Sequence, residues 1–177
     1  MSTKSYRPHL SISHEAMLAD GNDEAFRHVL FLMILASARL ATFREAVGRM
    51  IGLTGNQYVV LLATAHTQGE AGVTIRELAQ YALMASTHVT TQVGALIRKG
   101  LLKKRPNGND RRSVLVSLSD KGWRAMSVIA PVRREFNDAF FVGIERRTLL
   151  DASKFLEQVA SNSERALPLL KHARRTR

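Results

Sequence analysis

Between Arg98 and Arg112 the chain carries seven cationic side chains, Arg98, Lys99, Lys103, Lys104, Arg105, Arg111 and Arg112, against the single acid Asp110. A net charge of +6 within fifteen residues suits a polyanionic partner and exceeds what solubility requires. Just upstream stand Ser86, Thr87, His88, Thr90, Thr91 and Gln92. Hydroxyl and amide groups of this kind hydrogen-bond to base edges, and a threonine methyl can touch the methyl of thymine. The tail Lys171 to Arg177 adds four positive charges and no acid, so the two stretches hold ten of the formal net +11. The chemistry these residues can do is the recognition of phosphates and base edges.

The elements that must position them follow from the local pattern. Val89, Val93, Leu96 and Ile97 recur at helical spacing, with the polar residues on the remaining positions. The pattern predicts a helix of about thirteen residues, with Ser86 or Thr87 as N-cap and Gly100 as the left-handed residue that stops it. After Gly100 the period changes. Leu101 to Arg105 and Ser113 to Leu118 read as two strands, joined through Pro106, Asn107, Gly108, Asn109 and Asp110, which favour a turn. Ser119 then opens a new helix, with Asp120 in its first turn where the helix dipole favours an acid.

With 177 residues, 45% of them hydrophobic, the chain can bury a sizeable core. Phe26 to Met50 is a long helical candidate whose run Val29 to Ala36 is apolar on every side. Eight residues cannot cross a bilayer, and Arg39 and Arg44 follow closely, so the expected environment is buried protein. Residues 1–24 are polar and carry no signal peptide. Trp123, Met126, Ile129, Ala130, Phe136, Phe140 and Phe141 populate one C-terminal helix, in which Pro131 threatens a kink or an early end. Leu149, Leu150, Phe155, Leu156 and Val159 populate another, expected to end before Pro168.

Several motifs in this order resemble the winged helix-turn-helix of the multiple-antibiotic-resistance regulator (MarR) family of bacterial transcription factors. Leu53-Thr54-Gly55-Asn56-Gln57-Tyr58 resembles its L-T-x-x-Q-[YFW] opening, and Thr74-Ile75-Arg76-Glu77-Leu78-Ala79 its T-x-x-E-L-A helix. Val89-Thr90 and Lys99-Gly100-Leu101-Leu102 resemble the ends of its recognition helix. Asn109-Asp110-Arg111-Arg112, followed by Val116-Ser117-Leu118-Ser119-Asp120-Lys121-Gly122, resembles its wing. The resemblance is specific across Leu53 to Trp123 and compatible outside it. Thr91, Gln92, Gly94 and Ala95 depart from the family pattern, so the base contacts of a typical relative do not transfer. Gly94 costs the helix up to about 1 kcal/mol against alanine, unless it allows a neighbouring backbone to approach.

The resemblance implies a mostly α fold with a small β-wing. It divides the chain into a polar N-terminal extension (1–23), a helical dimerisation region (24–50 and 120–168), a winged helix-turn-helix DNA-binding domain (51–119) and a basic tail (169–177). It implies a cytoplasmic, nucleoid-associated homodimer on double-stranded DNA, reading a pseudo-palindromic operator and acting as a repressor released by a small, possibly anionic aromatic, effector. The expected DNA-binding residues are Ser86, Thr87, His88, Thr90, Thr91 and Gln92 on the helix and Lys103, Arg105, Asn109, Arg111 and Arg112 on the wing. In the resembled wing the acid, here Asp110, braces an arginine and shapes the tip. His28, Leu32, Leu35, Arg39, Phe43 and Ala46 share one helical line, and Arg39 could anchor an anionic effector, with His28 and His66 as neighbours. An intersubunit ion pair or a snorkelling side chain is the plainer account of Arg39.

Other classes find little support. There is no cysteine, hence no thiol-based redox sensor, disulfide or thiolate metal site. Asp20, Glu24 and His28 stand at metal-compatible spacing but lack a second histidine motif, and neither a metal nor a cofactor is expected. No nucleophile elbow, phosphate-binding glycine loop or H-E-x-x-H occurs, so the chain is not expected to be an enzyme. An architectural DNA-binding protein of the same fold would share the helix and wing and need no effector pocket.

Overall fold

The computed structural model describes residues 9–110 and 112–173. The helices are α1 (Glu24–Met50), α2 (Gly55–Thr67), α3 (Ile75–Ala82), α4 (Ser86–Arg98), α5 (Asp120–Phe140) and α6 (Arg146–Ala173). The strands are β1 (Val73–Thr74), β2 (Leu102–Pro106) and β3 (Val114–Leu118). Contacts divide the chain into two compact units, Met1–Val132 and Arg133–Arg177, with the boundary inside α5. The fold is mostly helical with one small antiparallel sheet, as expected.

Two of the motif threonines start helices. The Thr54 hydroxyl accepts from Gln57 N while Gln57 Oε1 accepts from Thr54 N, both at 3.3 Å. The Thr74 hydroxyl accepts from Glu77 N at 3.2 Å, and Glu77 Oε2 accepts from the Thr74 amide and hydroxyl at 2.8 Å each. Each pair is a capping box that satisfies amides the helix itself cannot. α3 then ends at Leu83 in the left-handed conformation, φ 50°, with its side chain 65% exposed. A β-carbon is strained there, and the chain gains little burial in return.

Strand order is β1-β3-β2. Val73 faces Val116 across β1 and β3, and Leu102, Lys104 and Pro106 face Leu118, Val116 and Val114 across β2 and β3. The two-residue β1 was not foreseen, since a strand that short has no period to read. The inward side chains Val73, Leu102, Val116 and Leu118 join Val60, Leu61, Leu78, Val89, Leu96 and Ile129 in one core. Gln68, at the end of α2, is buried with them, and its Oε1 accepts from Leu118 N at 2.7 Å.

Where α4 passes into the wing, three elements meet. Gly100 takes φ 73°, the left-handed stop expected of it. Its carbonyl accepts from the Ser119 hydroxyl at 2.6 Å, and the Leu101 carbonyl accepts from Ser119 N at 3.0 Å. The Ser119 hydroxyl in turn accepts from Gly122 N at 3.0 Å, so Ser119 starts α5 as the sequence predicts. A β-carbon at Gly122 would collide with the Leu101 carbonyl oxygen, which leaves glycine as the residue that fits.

α1 begins two residues before the expected Phe26. Its N-terminal approach is more ordered than a bare polar extension: Asp23 is buried, accepts from the Ser11 amide and hydroxyl at 2.6 Å each, and pairs with Arg27. These Ser11 bonds hold the Asp23 carboxyl below its ordinary value, with Arg27 helping. The apolar stretch of α1 is not buried within the chain. Phe31 and Ile34 are 62% and 59% exposed, and by length and composition alone α1 could cross a membrane.

In the second unit the Phe136 and Phe140 rings stack at 5.1 Å, and Phe141 meets Phe140 edge-on at 5.2 Å. The expected end of the last helix before Pro168 is overturned: α6 continues through it to Ala173. An interior proline withdraws its own amide and crowds the carbonyl one turn back, but Ala166, Leu167, Leu169 and Leu170 around it are good helix formers. Pro131 likewise lies inside α5 without ending it.

Leu83→Gly is expected to stabilise the protein by roughly 1 kcal/mol, read as a rise in the denaturant midpoint at unchanged slope. A lower midpoint would show that Leu83 is held by packing. The Thr74 amide and hydroxyl hold the Glu77 carboxyl below its ordinary value near 4.5. Because the folded-state pKa is depressed, the stabilisation is present above 4.5 and fades as pH falls through the folded value. Thermal unfolding of wild type and Glu77→Gln should therefore differ at neutral pH and converge in acid. A gap that stays constant with pH would contradict this.

Candidate nucleic-acid interface

On α4 the apolar stripe Val89, Val93 and Leu96 is buried, while Ser86, Thr87, His88, Thr90 and Thr91 are exposed and Gln92 is half-buried. The helix therefore turns its polar residues outward as a group. The N-cap is Ala85, with extended backbone and no side-chain cap, which corrects the expectation of Ser86 or Thr87. Both residues already lie within the helix, and their carbonyls take up side chains one turn on. Ser86 O accepts from the Thr90 hydroxyl at 2.8 Å and Thr87 O from the Thr91 hydroxyl at 3.0 Å. With their protons committed to the backbone, Thr90 and Thr91 present oxygen lone pairs and methyl groups.

The wing tip is built from its own polar side chains. Asn107 Oδ1 accepts from Asn109 N at 3.0 Å, and Asn107 Nδ2 donates to the Ser113 hydroxyl at 2.9 Å. That hydroxyl donates to Asp110 O at 3.1 Å. Asp110 Oδ1 accepts from the backbone N of Arg112 at 3.0 Å. The acid thus braces the main chain at Arg112. A carboxylate two residues before an amide reaches it more directly than it reaches a mobile guanidinium. Asn109 and Arg112 are exposed at the tip; Arg111 lies outside the described residues, as do the side chains of the basic tail 171–177.

The remaining cations divide between scaffold and surface. Lys99 Nζ donates to Gly52 O at 2.6 Å and Lys121 Nζ to Lys99 O at 2.9 Å. Arg105 Nη2 donates to Ala71 O at 2.8 Å. Lys103 and Arg105 alternate along the outer face of β2, where with Gln68, Glu70, Ser117 and Trp123 they line a cleft at the foot of the wing. Their charge alone had grouped them with the tip. Trp123, in the first turn of α5, is 51% exposed. Among the described residues the ion pairs are Arg27 with Asp23 and Lys154 with Asp151. No described cation between Arg98 and Arg112 is neutralised by a carboxylate.

The three residues expected to hold an effector are not drawn together. His28 lines a shallow hollow at the start of α1 with Asn22 and Glu24. Arg39 is exposed about 16 Å farther along the same helix, at about 1.5 Å per residue. His66 shares a hydrogen bond with the Tyr81 hydroxyl at 3.2 Å, with the rings edge to face. Among the described residues no three acidic or histidine side chains cluster as metal ligands, Asp20, Glu24 and His28 included.

Gly94 has no backbone neighbour to accommodate. A β-carbon there would meet only Arg98 Nη1, at 3.6 Å. Gly94→Ala is accordingly expected to raise stability by up to about 1 kcal/mol, measured by denaturant unfolding. A destabilised variant would mean that the position is crowded in the assembled protein.

Comparison with known proteins agrees with this geometry. Residues 51–113 match the family model described as the MarR family. The transcriptional activatory protein BadR of Rhodopseudomonas palustris is 32% identical over 79 residues, 45% of this chain and 45% of BadR. The chain thus matches just under half of that relative's length. CouR from Rhodococcus jostii RHA1, solved bound to p-coumaroyl-CoA, is similar with a TM-score of 0.67 at 20% identity, covering 75% of this chain and 91% of CouR. NadR in complex with 4-hydroxyphenylacetate is similar with a TM-score of 0.64 at 21% identity, covering 75% of this chain and 92% of NadR. At such identities the structural likeness is one of fold.

Proposed function

We propose that this chain, whose residues 51–113 match the model of the MarR family, is a transcription regulator that acts as a homodimer on a pseudo-palindromic double-stranded operator. The observation that carries this reading is the exposed polar face of α4 beside a wing whose described cations have no carboxylate partners. A helix of about thirteen residues with a buried apolar stripe fits the major groove. Ser86, Thr87, His88, Thr90, Thr91 and Gln92 then stand nearest the bases and phosphates. The tip, with Asn109, Arg111 and Arg112, reaches the backbone and the adjacent minor groove, whose negative potential attracts arginine. Asp110 keeps the tip in shape and touches no DNA.

The exposed apolar surface of α1 supports dimerisation. Val29, Leu30, Phe31, Leu32, Ile34 and Leu35 are each more than 40% exposed in one chain, and a contiguous surface of this kind calls for a partner. A second copy would bury it and set two recognition helices about one turn of DNA apart. Covered in this way, α1 needs no membrane, in keeping with a cytoplasmic protein.

The regulator is a repressor where its operator overlaps a promoter, and a small anionic molecule releases it. CouR was solved bound to p-coumaroyl-CoA and NadR in complex with 4-hydroxyphenylacetate, and the exposed cation of Arg39 on α1 is the anchor for an effector here. The family is one of regulators, and the residues do no covalent chemistry in this scheme.

Selection from a random duplex library tests the central claim: recovery of a preferred inverted repeat is expected, and recovery of no preferred sequence would overturn it. On that operator, Arg112→Ala should weaken binding by more than about 1 kcal/mol and lower the salt slope by about one unit. Unchanged affinity with an unchanged slope would remove the wing from the interface.

A further inference from the structure

Directly opposite its buried stripe, α4 has an outward centre line. Val89, Val93 and Leu96 are buried. At about 3.6 residues per turn, the line facing away from them runs through Thr87, Thr91, Gly94 and Arg98, at spacings of four, three and four. Thr90 and His88 flank it on either side. Thr87, Thr91 and Arg98 are exposed, and Gly94 is half-buried. We propose that Arg98 reads a guanine in each half-site through O6 and N7 of the base, and that Gly94 is the positioning residue that leaves room for it. The assignment rests on α4 being the helix that enters the major groove.

Reach and charge favour Arg98. Side chains on a helix lean toward its N-terminus, and the Arg98 guanidinium does so: a β-carbon at Gly94 would lie 3.6 Å from its Nη1. The cation therefore sits one turn back, over the middle of the helix rather than at its end. Among the described residues it pairs with no carboxylate. Its planar fork of donors matches the two acceptors that guanine shows in the major groove.

Groove geometry separates bases from phosphates. Base edges form the floor of the major groove and phosphates its walls, so the centre line of an inserted helix meets bases while its flanks meet the backbone. Gly94 suits that place. Glycine inside a helix is unfavourable against alanine, and no packing within the chain requires it, since an added β-carbon would meet Arg98 alone. A bare backbone lets the guanidinium lie flat on the helix and the groove floor come close. A methyl group would stand between them.

The test uses the full-length protein and the operator recovered by selection with wild type. Wild type is expected to prefer guanine at one position of each half-site by about tenfold or more, the worth of one bidentate contact. Arg98→Ala should flatten the preference at that position and leave the others unchanged. Arg98→Lys keeps the charge but not the fork, and should restore affinity for nonspecific duplex without restoring the full preference. Gly94→Ala, with Arg98 intact, should reduce the same preference severalfold without lowering the unfolding midpoint. A wild type with no preferred sequence overturns the operator reading and this assignment together. With an operator in hand, the assignment alone is overturned if Arg98→Ala weakens every duplex equally, as loss of a phosphate contact would, or keeps every base preference. A guanine preference untouched by Gly94→Ala removes Gly94 from its role.

Discussion

The Leu101 carbonyl is where the recognition helix, the wing and α5 are locked together. It accepts the Ser119 amide at 3.0 Å and lies so near Gly122 that no side chain fits there. One residue earlier, the Gly100 carbonyl takes the Ser119 hydroxyl at 2.6 Å, and Lys121 reaches back to the Lys99 carbonyl at 2.9 Å. Residues nearly twenty positions apart thus interlock backbone to backbone. The hairpin between them can project only in the direction this junction allows, which fixes the wing relative to α4. The two motif fragments Lys99-Gly100-Leu101 and Ser119-Asp120-Lys121-Gly122 occur together because they touch.

What could be read from the chain was what depends on neighbours in sequence. The limits of α4, the left-handed Gly100, the start of α5 at Ser119 and the hairpin all follow from spacing and residue type, and the structure places each within a residue or so. What escaped depends on contacts across the fold. Two-residue β1 exists because Val73 and Thr74 meet Val116 and Leu115. The half-exposed Trp123 cannot be told from a core aromatic by helical period alone. Arg105 resembles any other wing cation until Ala71 is found beside it. The N-cap of α4 fell on alanine because Ser86 and Thr87 serve Thr90 and Thr91 from inside the first turn. Pro168 shows that a breaker can be carried inside a helix when its neighbours favour helix.

Charge and hydrophobicity are segregated along the chain. The described cations of the wing and its foot pair with no carboxylate, while α1 carries apolar side chains that its own chain does not cover. The two surfaces call for opposite partners, a polyanion on one side and an apolar face on the other. The capping boxes at Thr54 and Thr74 matter to both, because they set where α2 and α3 begin between these surfaces.

The hydroxyl bonds within α4 have a consequence for the DNA itself. Thr90 and Thr91 spend their protons on the carbonyls of Ser86 and Thr87, so toward a duplex they turn methyl groups and lone pairs. A methyl finds its counterpart on C5 of thymine, and 5-methylcytosine carries the same group at the same place. Recognition written in methyl contacts would confuse the two bases at that edge. If α4 is the reading helix proposed above, occupancy of its operator would then change where cytosine is methylated at that edge.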